Sequence, residues 1–225
     1  MRTLGMFTKY WQPGKVKTRL AQNLGNDRAA AIYQICVAHL ADQLSHCGDK
    51  RLLIVSPDSR VSDPCFAPFK NWASTPQGGG DLGDRMMRYF ATAETDRDRL
   101  IVIGGDCPTV TPDRIEQAFD ALGDSRVVIG PSGDGGYYLL GIRGPWHQPL
   151  RALFDDMPWG TDEVMARTRS VLDALEIEPH LLPTDRDVDT KDDLDALLRR
   201  LPSDPASNHL RAAIERVLNT PTTES

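Results

Sequence analysis

The sequence predicts an α/β domain in which a mostly parallel sheet carries helices on both faces, and three observations predict it. Short runs rich in Val, Ile and Leu alternate along the chain with stretches whose apolar residues recur at helical spacing. Glycine, proline and aspartate gather where the apolar runs end, as expected where strands hand over to loops. The chain has 225 residues, 40% of them hydrophobic, which suits one domain with a sizeable core better than two small ones.

In chain order, residues 2–8 (RTLGMFT) read as a first strand that breaks at Gln12-Pro13-Gly14. From Asp27 to about Cys47 the residues Ala30, Ile32, Ile35, Val37, Leu40 and Leu44 recur at helical spacing, ahead of a Gly48-Asp49 stop and the strand RLLIVS at 51–56. The segment KNWASTPQ is a poor strand candidate, and a helix is expected over 82–96. The strand LIVIGG, a helix from Pro112 to about Leu122 and the strand VVIG at 127–130 follow. Beyond Gly135-Gly136 the pattern predicts a strand YYLLGI, a helix over about 161–175, a short edge strand within IEPHLLP and a closing helix from Lys191 to Leu201. Residues 1–201 are expected to form the single domain. Residues 202–225 are expected to be a tail, weakly amphipathic over HLRAAIERVL and disordered at its Thr-rich end. No internal repeat is evident.

Composition excludes several classes of function. With 26 basic against 32 acidic residues and a pI near 5.4, no overall positive field exists to gather nucleic acid or an anionic membrane. No segment approaches the roughly 20 apolar residues needed to cross a bilayer, and the N-terminus is unlike a signal peptide, so the cytoplasm is the expected compartment. The four cysteines lack a C-x-x-C pair and are expected to be small core residues. None of the five histidines lies in an arrangement that implies catalysis.

Chemistry is expected at five places. Gly14-Lys15-Val16-Lys17-Thr18-Arg19 puts three cations and a hydroxyl just after the first strand, where an open α/β sheet binds ligands; it is either a phosphate site or a solvated basic turn. It is not a Walker A loop, because the glycine spacing is wrong. Asp106 ends the LIVIGG strand and is placed to hold Mg²⁺ or Mn²⁺, the competing reading being a turn cap. Asp134, among three glycines, can ligate metal or hold a hydroxyl; the competing reading is a hairpin turn with Gly135, and both can hold at once. Asp187 and Asp189 share one face in extended backbone and either complete a cation site with Asp106 or, for Asp189 or Thr190, cap the next helix. Gly78-Gly79-Gly80-Asp81-Leu82-Gly83 matches G-x-G-x-x-G in form but lies far from the first strand. It reads as a flexible loop in which Gln77 and backbone amides reach a base or ribose, with Arg85 at its far end.

Taken in order, PGKVKTRL, Q-GGGDLGDRM, IGGDCPTV, GPSGDGGYYLLGI, Trp159-Gly160-Thr161 and DVDTKDDL resemble one bacterial family. It is the glycosyltransferase-A-like nucleotide-diphosphosugar transferase family, including arsenosugar-biosynthesis-type glycosyltransferases, and the resemblance covers roughly residues 3–200. More distantly the chain is similar to 2-phospholactate guanylyltransferase and molybdenum-cofactor guanylyltransferase. It departs from the family pattern at Lys9-Tyr10-Trp11-Gln12, where relatives often have Lys-x-Pro, and at Gly160, where they commonly have Ser or Thr.

The resemblance implies a Rossmann-like three-layer α/β/α sandwich, a nucleotide beneath the first loop and Mg²⁺ or Mn²⁺ on Asp106. It implies phosphate binding by Lys17 and Arg19, metal ligation by Asp106, and completion of the site by Asp134 with Asp187 or Asp189. Together with the loop readings above, the expected nucleotide contacts are Gly14, Lys15, Lys17, Thr18, Arg19, Gln77, Gly78 and Arg85, the expected metal ligands Asp106, Asp187 and Asp189, and the expected catalytic residues Lys17, Asp106 and Asp134. The expected function is metal-dependent transfer from a nucleotide sugar or NTP to a small-molecule acceptor. The alternatives are nucleotidyl transfer to a phosphorylated acceptor, or nucleotide binding without turnover.

Overall fold

A computed structural model describes residues 1–220. Seven strands form one sheet in the order β3-β2-β1-β4-β6-β5-β7. These are β1 (Arg2–Lys9), β2 (Lys50–Ser56), β3 (Ala73–Pro76), β4 (Arg99–Gly104), β5 (Val127–Pro131), β6 (Tyr137–Arg143) and β7 (His180–Leu181). β6 runs antiparallel to β4 and β5, while the β1–β2, β1–β4, β2–β3 and β5–β7 pairs are parallel. The sheet is therefore mostly parallel, as the alternation of elements predicts.

Alternation within single strands builds the three layers. On β4, Ile101 and Ile103 join a core that includes Leu40, Leu44, Ile115 and Phe119, whereas Leu100 and Val102 join one on the opposite face with Met86, Phe90 and Leu172. The first face is covered by α2 (Asn26–Gln43) and α4 (Pro112–Ala121), the second by α3 (Leu82–Phe90) and α5 (Val164–Ala174). A third cluster, outside α2, joins α1 (Thr18–Leu24), α6 (Lys191–Arg200) and α7 (Pro205–Asn219) through Leu20, Ile32, Leu194, Leu197, Leu210 and Ile214. The amphipathic stretch HLRAAIERVL thus lies in α7, whose start is capped by the Asp204 carboxylate accepting from the amides of Ala206 and Ser207. The rest of the expected disordered end, residues 221–225, lies outside the described residues.

Four local expectations need correction. KNWASTPQ does contain a strand: β3 pairs with β2 from Leu52–Ala73 to Val55–Pro76. At the sheet's edge it has one neighbour and little burial, so it needs no apolar alternation, and Pro76 removes no required donor. The helix expected over 82–96 stops at Phe90 because Asp98 collects the amides of Glu94 and Thr95 into a turn. The basic loop runs straight into α1, a helix absent from the periodicity reading. The fifth helix begins at Val164 rather than 161, after a Pro158–Thr161 turn. Cys36, Cys47 and Cys107 are buried and Cys65 is half-buried, all as free thiols.

Candidate active site

The candidate site lies at the carboxyl ends of β1 and β4. The chain leaves β1 toward β2 on one side and returns to β4 on the other, so a crevice opens between the two strand ends. Past β1, Val16 is buried with Ala30, Tyr33 and Val37 and anchors the basic loop from beneath. That anchor holds Lys17 in the left-handed region, at φ 47° and ψ 48°, a conformation costing a non-glycine residue about 1 kcal/mol. The Lys17 side chain, 8% exposed, turns inward and its Nζ donates to Asp106 Oδ2 at 2.9 Å, with Asp189 Oδ1 at 3.6 Å. Burial works against its charge, but Asp106, then Asp189 and Asp187, raise the ammonium above its ordinary value and keep it protonated.

Asp106 lies two residues past the end of β4. Burial alone would raise its carboxyl; the charge and hydrogen bond of Lys17 override that and hold it below the ordinary value. The Asp106 carbonyl accepts from the Val188 amide at 2.9 Å, which brings the 185–190 segment to the strand end. Thr190 caps α6 in a reciprocal box with Asp193, so Asp189 is not the cap. Asp189 instead pairs with Arg19 Nη1 at 3.0 Å and with Lys17. Asp187 is different: among the described residues its carboxylate has no ion-pair partner and accepts only from its own backbone amide. Burial, then the charges of Asp106 and Asp134, push it up to about 6 against the pull of Lys17.

The β5–β6 hairpin supplies Asp134, which accepts from Ser132 Oγ and from the Gly136 amide at 3.2 Å. The expected turn and a site position therefore coincide. Gly135 has φ +89°, and a Cβ there would stand 2.2 Å from the Asp162 carbonyl oxygen, so the hairpin packs against the 159–163 segment at a distance only glycine permits.

The glycine-rich loop is fastened rather than loose. Arg88 donates to the carbonyls of Gln77 and Gly79, Arg85 Nε to that of Gly80, and Asp81 and Asp84 make a capping box on α3. Gln77 is buried and its amide is spent on the scaffold: Nε2 donates to the carbonyls of Thr8 and Ile54, and Oε1 accepts from Arg85 Nη1. The expected base or ribose contact from Gln77 is thus replaced by a supporting one, because a saturated amide has no donor left to offer. Gly78 is likewise committed, its amide donating to Asp58 at 3.0 Å, and neither it nor Gly14 lines the cleft.

The cleft has two halves that share Phe7, Leu82, Gly104 and Asp106. One, of about 400 Å³, is basic, with Lys9, Lys15, Lys17, Thr18, Gln77 and Arg85 in its lining. The other, of about 440 Å³, has aromatic and apolar walls and carries Arg19, Asp106, Asp134, Asp162 and Asp187. Sequence reasoning missed Phe7, Lys9, Tyr137 and Asp162. The first two could have been found from their place at the end of β1, and Asp162 from the Trp159-Gly160-Thr161 motif that it directly follows.

Among the described residues no three His, Cys, Asp or Glu side chains stand grouped as a ready-made metal cage. A Mg²⁺ site does not require one, since that ion keeps waters and takes one or two carboxylates together with substrate phosphates. Asp106 and Asp187 fit such a site chemically: both offer carboxylate oxygens, and the charge of Asp106 makes ionisation of Asp187 costlier, a cost that a bound cation would relieve.

The sheet, its layers and a cleft at the switch point define a protein of the nucleotide-diphosphosugar-transferase fold class. Residues 40–161 match the family DUF2064, described as an uncharacterised protein conserved in bacteria, and the chain belongs to that family. A crystal structure from Desulfovibrio desulfuricans G20, provisionally named a nucleotide-diphospho-sugar transferase, is 30% identical over 96% of this chain and 97% of that one, with a TM-score of 0.83. The fold is shared with 4-diphosphocytidyl-2C-methyl-D-erythritol synthase from Anaerococcus prevotii DSM 20548, at 9% identity, 89% and 99% coverage and a TM-score of 0.54. It is shared too with CMP:2-keto-3-deoxy-manno-octonic acid synthetase complexed with CTP, at 12% identity, 87% and 96% coverage and a TM-score of 0.50. No curated protein matches the chain. No helix among the described residues is long and apolar enough to cross a membrane.

Proposed function

We propose that this protein is a divalent-metal-dependent transferase that takes a nucleotide sugar as donor and passes the glycosyl group to a small-molecule acceptor. The observation that carries the reading is the junction of Lys17, Asp106 and Asp187 between a basic half-cleft and an aromatic one. Lys9, Lys15, Lys17 and Arg85 suit the phosphates of the donor, and the basic loop holds Lys17 where negative charge grows as the diphosphate leaves. The bond from the anomeric carbon to the diphosphate oxygen breaks with its electron pair going to that oxygen. The acceptor oxygen bonds to the same carbon, and its proton passes to Asp134. A divalent cation on Asp106 and Asp187 would neutralise diphosphate charge and so stabilise the departing group. The named activity of the Desulfovibrio relative agrees with this reading.

A second reading, nucleotidyl transfer from an NTP, is favoured by one observation: four cations line the basic half, more than a sugar diphosphate needs. Thermal-shift measurements of the purified protein against NTPs and nucleotide sugars, each with and without Mg²⁺ or Mn²⁺, separate the two. The expected result is a metal-dependent rise in Tm with nucleotide sugars. A rise confined to NTPs transfers the assignment to nucleotidyl transfer, and no rise with either class overturns the enzyme reading.

A further inference from the structure

The basic and aromatic halves of the cleft differ in charge, and the difference constrains the acceptor. In the aromatic half Arg19 is the one basic side chain among the described lining residues; it is two-thirds exposed and already paired with Asp189 at 3.0 Å. Against it stand Asp106, Asp134, Asp162 and Asp187. A divalent cation held by Asp106 and Asp187 leaves Asp134 and Asp162 uncompensated. A phosphorylated molecule entering this half would give up its hydration beside two carboxylates, while the cations of this half, Arg19 and the metal, are already engaged by Asp189 and by Asp106 and Asp187.

The walls point the same way. Tyr137 and Trp159 meet edge to face, with centroids 6.3 Å apart, beside Met86 and Val102. An aromatic wall of this kind packs against the C–H face of a sugar ring or another flat apolar surface, while carboxylates on the rim accept hydrogen bonds from hydroxyl groups. The Asp134 carboxylate, fixed by Ser132 and the Gly136 amide, keeps acceptor capacity for one such hydroxyl.

We propose that the aromatic half of the cleft selects an uncharged, hydroxyl-bearing acceptor with an apolar face and rejects phosphorylated ones. This rests on the assignment of the cleft as a nucleotide-dependent transfer site, and it makes the acceptor's charge the property by which the site chooses. Asp134 and Asp162 are the residues that set the choice.

The test is saturation-transfer NMR on the full chain with Mg²⁺ and a nucleotide sugar present, using phenyl β-D-glucoside and phenyl phosphate as matched aromatic probes. The glucoside is expected to bind at least tenfold more tightly than the phosphate, and the double variant Asp134→Asn/Asp162→Asn to narrow that ratio while the nucleotide-induced rise in Tm persists. Equal or stronger binding of phenyl phosphate, or no binding of the glucoside, overturns the inference even where nucleotide and metal still raise Tm. Absence of any nucleotide-induced rise in the unmodified chain overturns both the inference and the reading beneath it.

Discussion

Asp187, half-buried, and Gln77, buried, mark two opposite ways in which a polar side chain can serve this cleft. Asp187 has no ion-pair partner, and the pull of Lys17 does not offset its burial and the nearby charges of Asp106 and Asp134; Gln77 is satisfied at every atom and contributes rigidity. Gln77→Leu removes a donor from the carbonyls of Thr8 and Ile54 and frees Arg85, which should cost about 1–3 kcal/mol. Urea unfolding should show a lower midpoint at unchanged slope, and an unaltered midpoint would mean that these bonds contribute nothing. At this scale the sequence is a good guide to Asp106, since an apolar run ending in Gly-Gly-Asp places a carboxylate at a strand end. It is a poor guide to Gln77, because no local pattern distinguishes a buried amide bracing two strands from an exposed one reaching a ligand. The pairing of Lys17 with Asp106 was equally hidden: it depends on the left-handed turn at Lys17, which depends in turn on Val16 finding a pocket against α2.

Among the elements, the start of α6 matters most to the site. Its Thr190–Asp193 box fixes where the helix begins, and hence the extended stretch that presents Asp187 and Asp189 to Lys17 and Arg19. Thr190→Ala should cost about 1 kcal/mol in stability and weaken metal-dependent nucleotide binding several-fold more than the stability loss explains. Thr190→Ser, which keeps the hydroxyl, should restore both; a serine variant as impaired as the alanine one would sink the cap's role. Strong elements were legible where one face is apolar, as on β4, α2 and α4. β3 was not, because an edge strand with polar sides lacks the alternation that announces a strand. The short α1 escaped notice because it buries only Leu20 among its own residues.

At the scale of the whole molecule, topology does what no single motif could. Placing β1 beside β4 brings together a basic loop, a strand-end aspartate, a hairpin aspartate and a pre-helical pair that are dispersed along most of the chain. The layered fold followed from the order of apolar runs; the division of the cleft into a basic and an aromatic half did not, because it depends on which loops meet above the sheet. The central claim is that Asp106 and Asp187 let a divalent cation and a nucleotide bind together. Calorimetric titration of a nucleotide sugar into the protein with Mn²⁺, with EDTA, and into Asp106→Asn with Mn²⁺ tests it most directly. Binding at least tenfold weaker in the EDTA and variant titrations is the predicted result, and equal affinity in all three would contradict the account.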